Sequence, residues 1–301
     1  MIYDIITVGG GPAGLTAAIY GRRANKTVLV IDKGAFGGQI TFSPMVENIP
    51  GFTSLSGNEF ADKLVEQALY QGVEFECSEV LSVKDGNTKT VVTDGGEFEA
   101  RTVILATGAK HRTLGLPGEE KFIGDGISFC AVCDGAFYKD KTVGVIGGGN
   151  SALQEALLLS ELCKEVIVVQ NLDFLTGEDK LQKQLAEKTN VKVILGTVVD
   201  AILPGDRFSG IRVRKEKDGT LTDLTLDGLF VAIGLLPQNE PFADVMTLDE
   251  RGYAAADESC LTKTPGIFVA GDCRSKRIRQ VTTATSDGAV AALAACNYLD
   301  K

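Results

Sequence analysis

Two cysteines separated by two residues, Cys130 and Cys133, with Asp134 directly after the second, are the part of this chain best suited to chemistry. A Cys-x-x-Cys pair can close a small disulfide and take up two electrons, and an adjacent carboxyl can move the protons of thiol exchange. Two other uses compete: a half-site for zinc, and a buried pair of inert thiols. Zinc normally takes four ligands, whereas the sequence holds one histidine, His111, and no second Cys-x-x-Cys. The pattern therefore speaks against a metal. For Asp134 the plain structural role is a turn residue or helix N-cap beside Gly135. The cysteines number seven, an odd count, and stand scattered at 77, 130, 133, 163, 260, 273 and 296. That is not the framework of a secreted disulfide-rich domain.

The chain must supply elements to hold these side chains. Its 301 residues make two domains of ordinary size, and 44% hydrophobic with 23% charged residues is the balance of a globular protein. A net charge of −10 argues against nonspecific nucleic-acid binding. Met1 to Asp4 runs straight into an apolar strand with no basic leader, and no long apolar run follows, so the expected location is cytoplasmic with no membrane contact. Against the acidic total, Arg274, Lys276, Arg277 and Arg279 crowd together. They read either as a solvated loop or as a dock for an acidic partner or a cofactor phosphate.

Two glycine signatures organise the rest. Tyr3 to Val8 reads as a buried strand, Gly9-Gly10-Gly11-Pro12-Ala13-Gly14 as a tight turn, Leu15 to Ala24 as a helix, and Thr27 to Ile31 as a strand ending at Asp32. In such a βαβ unit the glycines let the backbone approach a pyrophosphate, which rests on the helix N-terminus. Asp32 stands where an acid can hold a ribose hydroxyl. A helix is predicted over 58–71, with Phe60, Leu64 and Ala68 on one side. An apolar strand over 103–106 then runs into Thr107-Gly108, and Pro117-Gly118 is the expected crossing between domains. The pattern then repeats, with a strand at 142–146, a turn at Gly147-Gly148-Gly149-Asn150-Ser151-Ala152, a helix at 153–162 and a strand at 165–169. Short strands over 191–213, buried strands at 229–234 and 266–272, and a helix over 283–299 complete the chain. The fold class is α/β, with two Rossmann-like dinucleotide-binding domains built on parallel sheets.

Taken together, these motifs closely resemble the low-molecular-weight thioredoxin reductases. The resemblance spans essentially the whole chain. Its carriers are Gly9 to Gly14, Gly37-Gly38-Gln39-Ile40, Glu47-Asn48-Ile49-Pro50-Gly51, Ala106-Thr107-Gly108, Cys130 to Gly135, Gly147 to Ala152, Gly271-Asp272-Cys273 and Arg279-Gln280-Val281-Thr282. It implies an FAD domain from residues 1–112 and 246–301, discontinuous in sequence, and a redox-disulfide domain from 113–245. It places Gly11, Pro12, Ala13, Asp32, Lys33, Gly38, Gln39, Asn48, Thr107, Gly271, Asp272, Gln280 and Val281 around FAD. It further implies that reduced flavin opens a Cys130–Cys133 disulfide, that Cys130 attacks thioredoxin while Cys133 faces the flavin, and that Asp134 is the general acid and base. The family suggests a homodimer and a rotation between the two domains.

One stretch departs from the family pattern. Members that use NADPH carry three arginines after the second strand of the second βαβ unit, where guanidinium pairs with the 2′-phosphate. Here Asn171, Leu172 and Thr176 stand at those positions, and no basic residue occurs between Lys164 and Lys180. Three donors stay open: NADH with Asp173 on a ribose hydroxyl, NADPH held by other contacts, or reduced ferredoxin, as in a pyridine-nucleotide-independent branch of the family that this chain resembles. Ferredoxins are typically acidic, which makes Arg274, Lys276, Arg277 and Arg279 the candidate dock. A dithiol oxidase of the same fold and a non-catalytic FAD-binding protein are the competing functions. The intact Cys130, Cys133 and Asp134 speak against the latter.

Overall fold

The computed structural model describes residues 1–43 and 46–301. The chain forms two compact units, one from residues 1–41, 49–110 and 236–301, the other from 42–48 and 111–235.

The first unit opens with β1 (Ile2–Val8), α1 (Pro12–Arg23) and β2 (Val28–Asp32), and continues through α2 (Gly57–Tyr70), β3 (Glu74–Cys77), β4 (Val80–Lys84), β5 (Lys89–Thr93) and β6 (Gly96–Leu105). Its sheet runs in the order β3-β2-β1-β6-β5-β4. The pairs β2–β3, β1–β2 and β1–β6 are parallel, and the hairpin strands β4 and β5 are antiparallel. Apolar packing on both faces explains why β1 and β2 read as unbroken apolar runs rather than alternating ones. The Ser56 hydroxyl caps α2 from Glu59 N–H, and the Glu59 carboxylate accepts from Ser56 N–H in return.

Then come β7 (Ala109–His111) and the second unit: β8 (Ile127–Ser128), α3 (Ala131–Asp134), β9 (Thr142–Ile146), α4 (Asn150–Leu162), β10 (Glu165–Val169), α5 (Asp179–Ala186), β11 (Val191–Ile194), β12 (Thr197–Ile202), β13 (Gly210–Lys215), β14 (Leu221–Thr225), β15 (Gly228–Val231) and β16 (Leu235–Pro237). Five strands in the order β11-β10-β9-β15-β8 make a parallel sheet, β12-β13-β14 an antiparallel one, and β7 pairs with β16. The first unit is completed by β17 (Ile267–Val269), parallel to β6, and α6 (Val281–Leu299).

Both duplicated helices start earlier than their sequence pattern predicts, α1 at Pro12 and α4 at Asn150. Pro12 has φ fixed for a first helical position, so the turn is already helical before the third small residue. That third residue, Gly14, has no room for a side chain: a Cβ there would stand 1.9 Å from the Gly9 carbonyl oxygen. The chain passes between units at 41/42, 48/49, 110/111 and 235/236, and Pro117-Gly118 lies seven residues past the third of these, within the second unit. Gly118 (φ +79°) instead opens a short 3-10 turn, whose buried Glu119 carboxylate accepts the N–H groups of Leu114 and Gly115 at 2.8 and 2.9 Å. The apolar 266–272 stretch is also shorter as a strand than it reads, because Gly271–Cys273 turns into a 3-10 helix.

Candidate active site

β8 delivers the chain to Ser128, and one turn of helix, α3, follows. Cys130 is its N-cap, in extended conformation, and forms a disulfide with Cys133. The Cys130 sulfur accepts the Cys133 N–H at 3.2 Å. The buried Ser128 hydroxyl ties the pair to its acid: it donates to Asp134 Oδ2 at 2.5 Å and accepts the Cys130 N–H at 3.1 Å. Asp134 ends α3 and caps no helix with its side chain, so the N-cap role does not apply. Its Oδ1 is shut from solvent and has no partner. Burial pushes the Asp134 pKa up, and the Ser128 hydrogen bond opposes the rise. Asp134, Ser128, Tyr138 and Lys141 share the lining of a cavity of about 470 Å³. The other five cysteines are free; Cys77 is exposed and the rest are buried. Among the described residues no group of three or more His, Cys, Asp and Glu side chains is placed to hold a metal ion.

In the first unit the structure brings four of the predicted flavin residues into close approach, Gly11 with Gly38 and Ala13 with Gly271. Gly11 caps α1 with no side-chain partner, which leaves the helix N-terminus open to an anion. Gly38 (φ +69°) comes so close to Gly11 that a Cβ would lie 2.9 Å from its Cα. Gly271 (φ +82°) approaches Ala13 in the same way, at 2.8 Å from its Cβ. Asp32 ends β2 with its carboxylate accepting Gly10 N–H at 2.6 Å and Gly34 N–H at 2.9 Å, so it braces the turn from below. Thr107 donates to Asn239 Oδ1 at 3.0 Å, and Asn239, fully buried, also holds the Gly252 and Cys273 carbonyls. Gln280 caps α6 in a reciprocal box with Thr283, and Val281 begins that helix. Asp272 carries an oxygen that is buried and unpartnered. Burial raises its pKa, with Lys276 and Arg279 acting against the rise. A buried carboxylate oxygen without a donor is costly, and a cofactor hydroxyl would satisfy it. The open α1 terminus, the side-chain-free glycines and this oxygen fit FAD.

Three further residues predicted to hold flavin are placed as follows. Lys33 is exposed and pairs with Glu79 at 2.6 Å. Gln39 is an exposed residue of the 3-10 turn Gly38–Phe42. Asn48 belongs to the 42–48 segment of the second unit.

The second glycine turn repeats the first in backbone detail. Gly37 N–H donates to Gly10 O at 2.8 Å; correspondingly, Thr176 and Gly177 N–H donate to Gly148 O at 2.8 and 2.9 Å. α4 likewise begins without a side-chain cap. The loop drawn onto this turn differs in charge. Asn171, Leu172, Phe174 and Thr176 are exposed and neutral, and Asp173 and Glu178 are exposed and acidic.

The basic cluster is not the surface patch its sequence suggests. Arg274 is 2% exposed and forms a two-pronged pair with Asp287. The Lys276 ammonium, also buried, donates to the same carboxylate at 2.9 Å. Arg279 lies over the Tyr253 ring, 4.1 Å from its centroid, and donates to the Asp272 carbonyl. Arg277 alone of the four is exposed. The reason is Asp287 on α6, a buried acid that draws the cations inward. Asp287, Asn239, Ser128 and Glu155 are the residues that sequence reading missed. A signal existed for Glu155, an acid on the face of α4 that carries Ala152 and Leu159.

Two dinucleotide-type units, one carrying a Cys-x-x-Cys disulfide with a buried acid beside it, define a flavin- or nucleotide-linked disulfide oxidoreductase. Residues 3–288 match the family described as pyridine nucleotide-disulphide oxidoreductase. The chain is 40% identical over 302 residues to the thioredoxin reductase of Listeria monocytogenes, covering 100% of this chain and 95% of that one. It is 39% identical over 302 residues to that of Bacillus subtilis, covering 100% and 96%. The crystal structure of thioredoxin reductase from Streptococcus pyogenes superimposes with a TM-score of 0.93 at 40% identity, covering 99% of this chain and 98% of that one. The chain belongs to the low-molecular-weight thioredoxin reductases, oxidoreductases of sulfur groups whose cofactor is FAD.

Proposed function

We propose that this chain reduces a protein disulfide of the thioredoxin type through Cys130 and Cys133, and that its electrons come from reduced ferredoxin rather than from NADPH. FAD, when bound, supplies the two electrons that open the Cys130–Cys133 disulfide. Cys130 then attacks the substrate disulfide as a thiolate, Cys133 resolves the mixed disulfide, and Asp134 moves the proton of the leaving thiol. Gly11, Pro12, Ala13, Gly38, Thr107, Gly271, Asp272, Gln280 and Val281 hold the cofactor in this reading, and the active form is a homodimer.

One observation carries the donor assignment: the loop over residues 170–178, against the second glycine turn, bears two exposed acids and no base. A 2′-phosphate there would meet repulsion where relatives that use NADPH offer arginines. The intact turn and the open α4 terminus favour a second reading, in which NADH, lacking that phosphate, is the donor. Arg277 is the member of the 274–279 cluster left to meet an acidic partner.

The test is anaerobic mixing of the flavin-loaded protein with NADPH, NADH or photoreduced ferredoxin, following the visible flavin absorbance. Bleaching by ferredoxin, with no response to micromolar NADPH, is expected. Rapid bleaching by NADPH overturns the ferredoxin assignment, and rapid bleaching by NADH alone supports the second reading.

A further inference from the structure

Behind the cysteine pair lies a carboxyl that the thiol chemistry above leaves unused. Glu155 shares a face of α4 with Ala152, Ala156 and Leu159, each fully buried. α3 packs on this helix, and Gly135, next to Asp134, fits so tightly there that a Cβ would lie 3.3 Å from Leu159 Cδ2. Glu155 Oε2 and Asp134 Oδ1 are both shut from solvent, and neither has a hydrogen-bond partner. Burial disfavours the charged form of both carboxyls, and the charge on Asp134 disfavours that of Glu155 further, so Glu155 is the one that keeps a proton.

We propose that Asp134 and Glu155 carry one proton between them at neutral pH, and that Glu155 is the store from which Asp134 is reloaded. This rests on the reading of Cys130 and Cys133 as the thiol-exchange pair.

Burial, then the charge on Asp134, holds Glu155 up to about 8. Asp134 is raised too, with the Ser128 hydrogen bond pulling against its burial. At rest the proton therefore sits on Glu155, and Asp134 is the carboxylate that accepts from Ser128. Of the other charged groups around the pair, Lys141 and Asp125 share the cavity lining with Asp134, and the Lys141 side chain is exposed. Tyr138, pushed up to about 12 by burial and by Asp134 and Asp125, stays neutral. The lysines of α5, Lys180 and Lys183, are exposed, and β9 and β10 turn Val143, Val145, Val166 and Val168 towards this core.

When the mixed disulfide is resolved, the electron pair of the attacking thiolate forms the Cys130–Cys133 bond. The bond to the substrate sulfur breaks, and that sulfur leaves as a thiolate. One proton passes from Glu155 to Asp134 and from Asp134 to the thiolate, giving a thiol and two ionised carboxyls. Water then returns one proton to the pair. Glu155 touches no reacting atom and acts through Asp134.

Difference infrared spectroscopy with isotope-labelled glutamate reads this pair without turnover. A protonated glutamate band that titrates near pH 8, is lost in Glu155→Gln and shifts to lower pH in Asp134→Asn is expected. In Glu155→Gln, thioredoxin-coupled turnover is expected to fall about 10- to 100-fold at neutral pH. Its loss with rising pH should begin at lower pH than in the wild type. A wild-type pH profile in Glu155→Gln, or a glutamate band indifferent to Asp134→Asn, overturns the proposal. The infrared titration uses the wild-type protein, so it decides the proposal even if Glu155→Gln folds poorly. If the wild type reduces no thioredoxin, the functional reading fails, and the infrared titration still decides whether the two carboxyls share a proton.

Discussion

Asp287 grips Arg274 with both oxygens, Oδ2 at 2.7 Å from Nε and Oδ1 at 2.8 Å from the terminal nitrogen, in surroundings that leave each side chain almost no contact with water. The same carboxylate accepts Gly271 N–H at 3.0 Å, immediately before the candidate flavin residue Asp272. Removing one partner strands a buried charge, which costs about 3–5 kcal/mol. Asp287→Ala is expected to lose about that much in urea unfolding and to release flavin faster in a filtration assay. Wild-type stability and flavin retention together would refute the role given to this pair.

Acid should weaken the same pair. Burial alone would raise the Asp287 pKa, but the hydrogen bonds from Arg274 and Lys276 outweigh it and hold the carboxyl below its ordinary value. Its contribution is therefore complete above the unfolded carboxylate pKa of about 4 and is lost as pH falls below that. Denaturation curves from pH 5 to 2 should show this loss, and Asp287→Asn should flatten it.

His111 supplies a second pH dependence in a different window. Its ring stacks on Phe129 with centroids 4.8 Å apart, and burial lowers its pKa from 6.5 to about 4. The unfolded chain takes up the proton first, so the contribution is complete above about pH 6.5 and fades as pH falls towards 4, by roughly 3 kcal/mol in all. His111→Gln should remove that slope from stability measured between pH 7 and 4; an unchanged slope would assign it elsewhere.

Close packing of α1 on α6 depends on Gly288, where a Cβ would stand 2.2 Å from the Ala13 carbonyl oxygen. Gly288→Ala forces the helices apart, at about 1–3 kcal/mol for overpacking of this kind. Because Ala13 also borders Gly271, flavin affinity should fall alongside the melting temperature. A variant with unaltered melting and flavin content would show that the helices relax freely.

Two substitutions test the electron path. Cys133→Ser should keep flavin bound and reducible while abolishing thioredoxin reduction; normal turnover would remove Cys133 from the chemistry. Placing arginine at Asn171, Leu172 and Thr176 together should lower the NADPH concentration needed for flavin bleaching by tenfold or more, since a charge-assisted contact contributes about 1.5–3 kcal/mol. No response to NADPH in that variant would mean that charge at this loop does not select the donor.

The sequence by itself determined the features written within a few residues of one another. The glycine turns at 9–14 and 147–152, the strands and helices around them, and the Cys130-x-x-Cys133 pair with Asp134 all follow from backbone geometry and short periodicities. The missing arginines at 171, 172 and 176 were equally legible, because each is a matter of residue type at a motif position. Only the tertiary structure decided which charges meet which partners. Arg274 and Lys276 look like surface cations until α6 brings Asp287 against them. Glu155 looks like an ordinary helix acid until α3 packs on α4 and sets Asp134 nearby. Burial and pairing are products of contacts between distant segments, and a local pattern carries no record of the segment that will cover it.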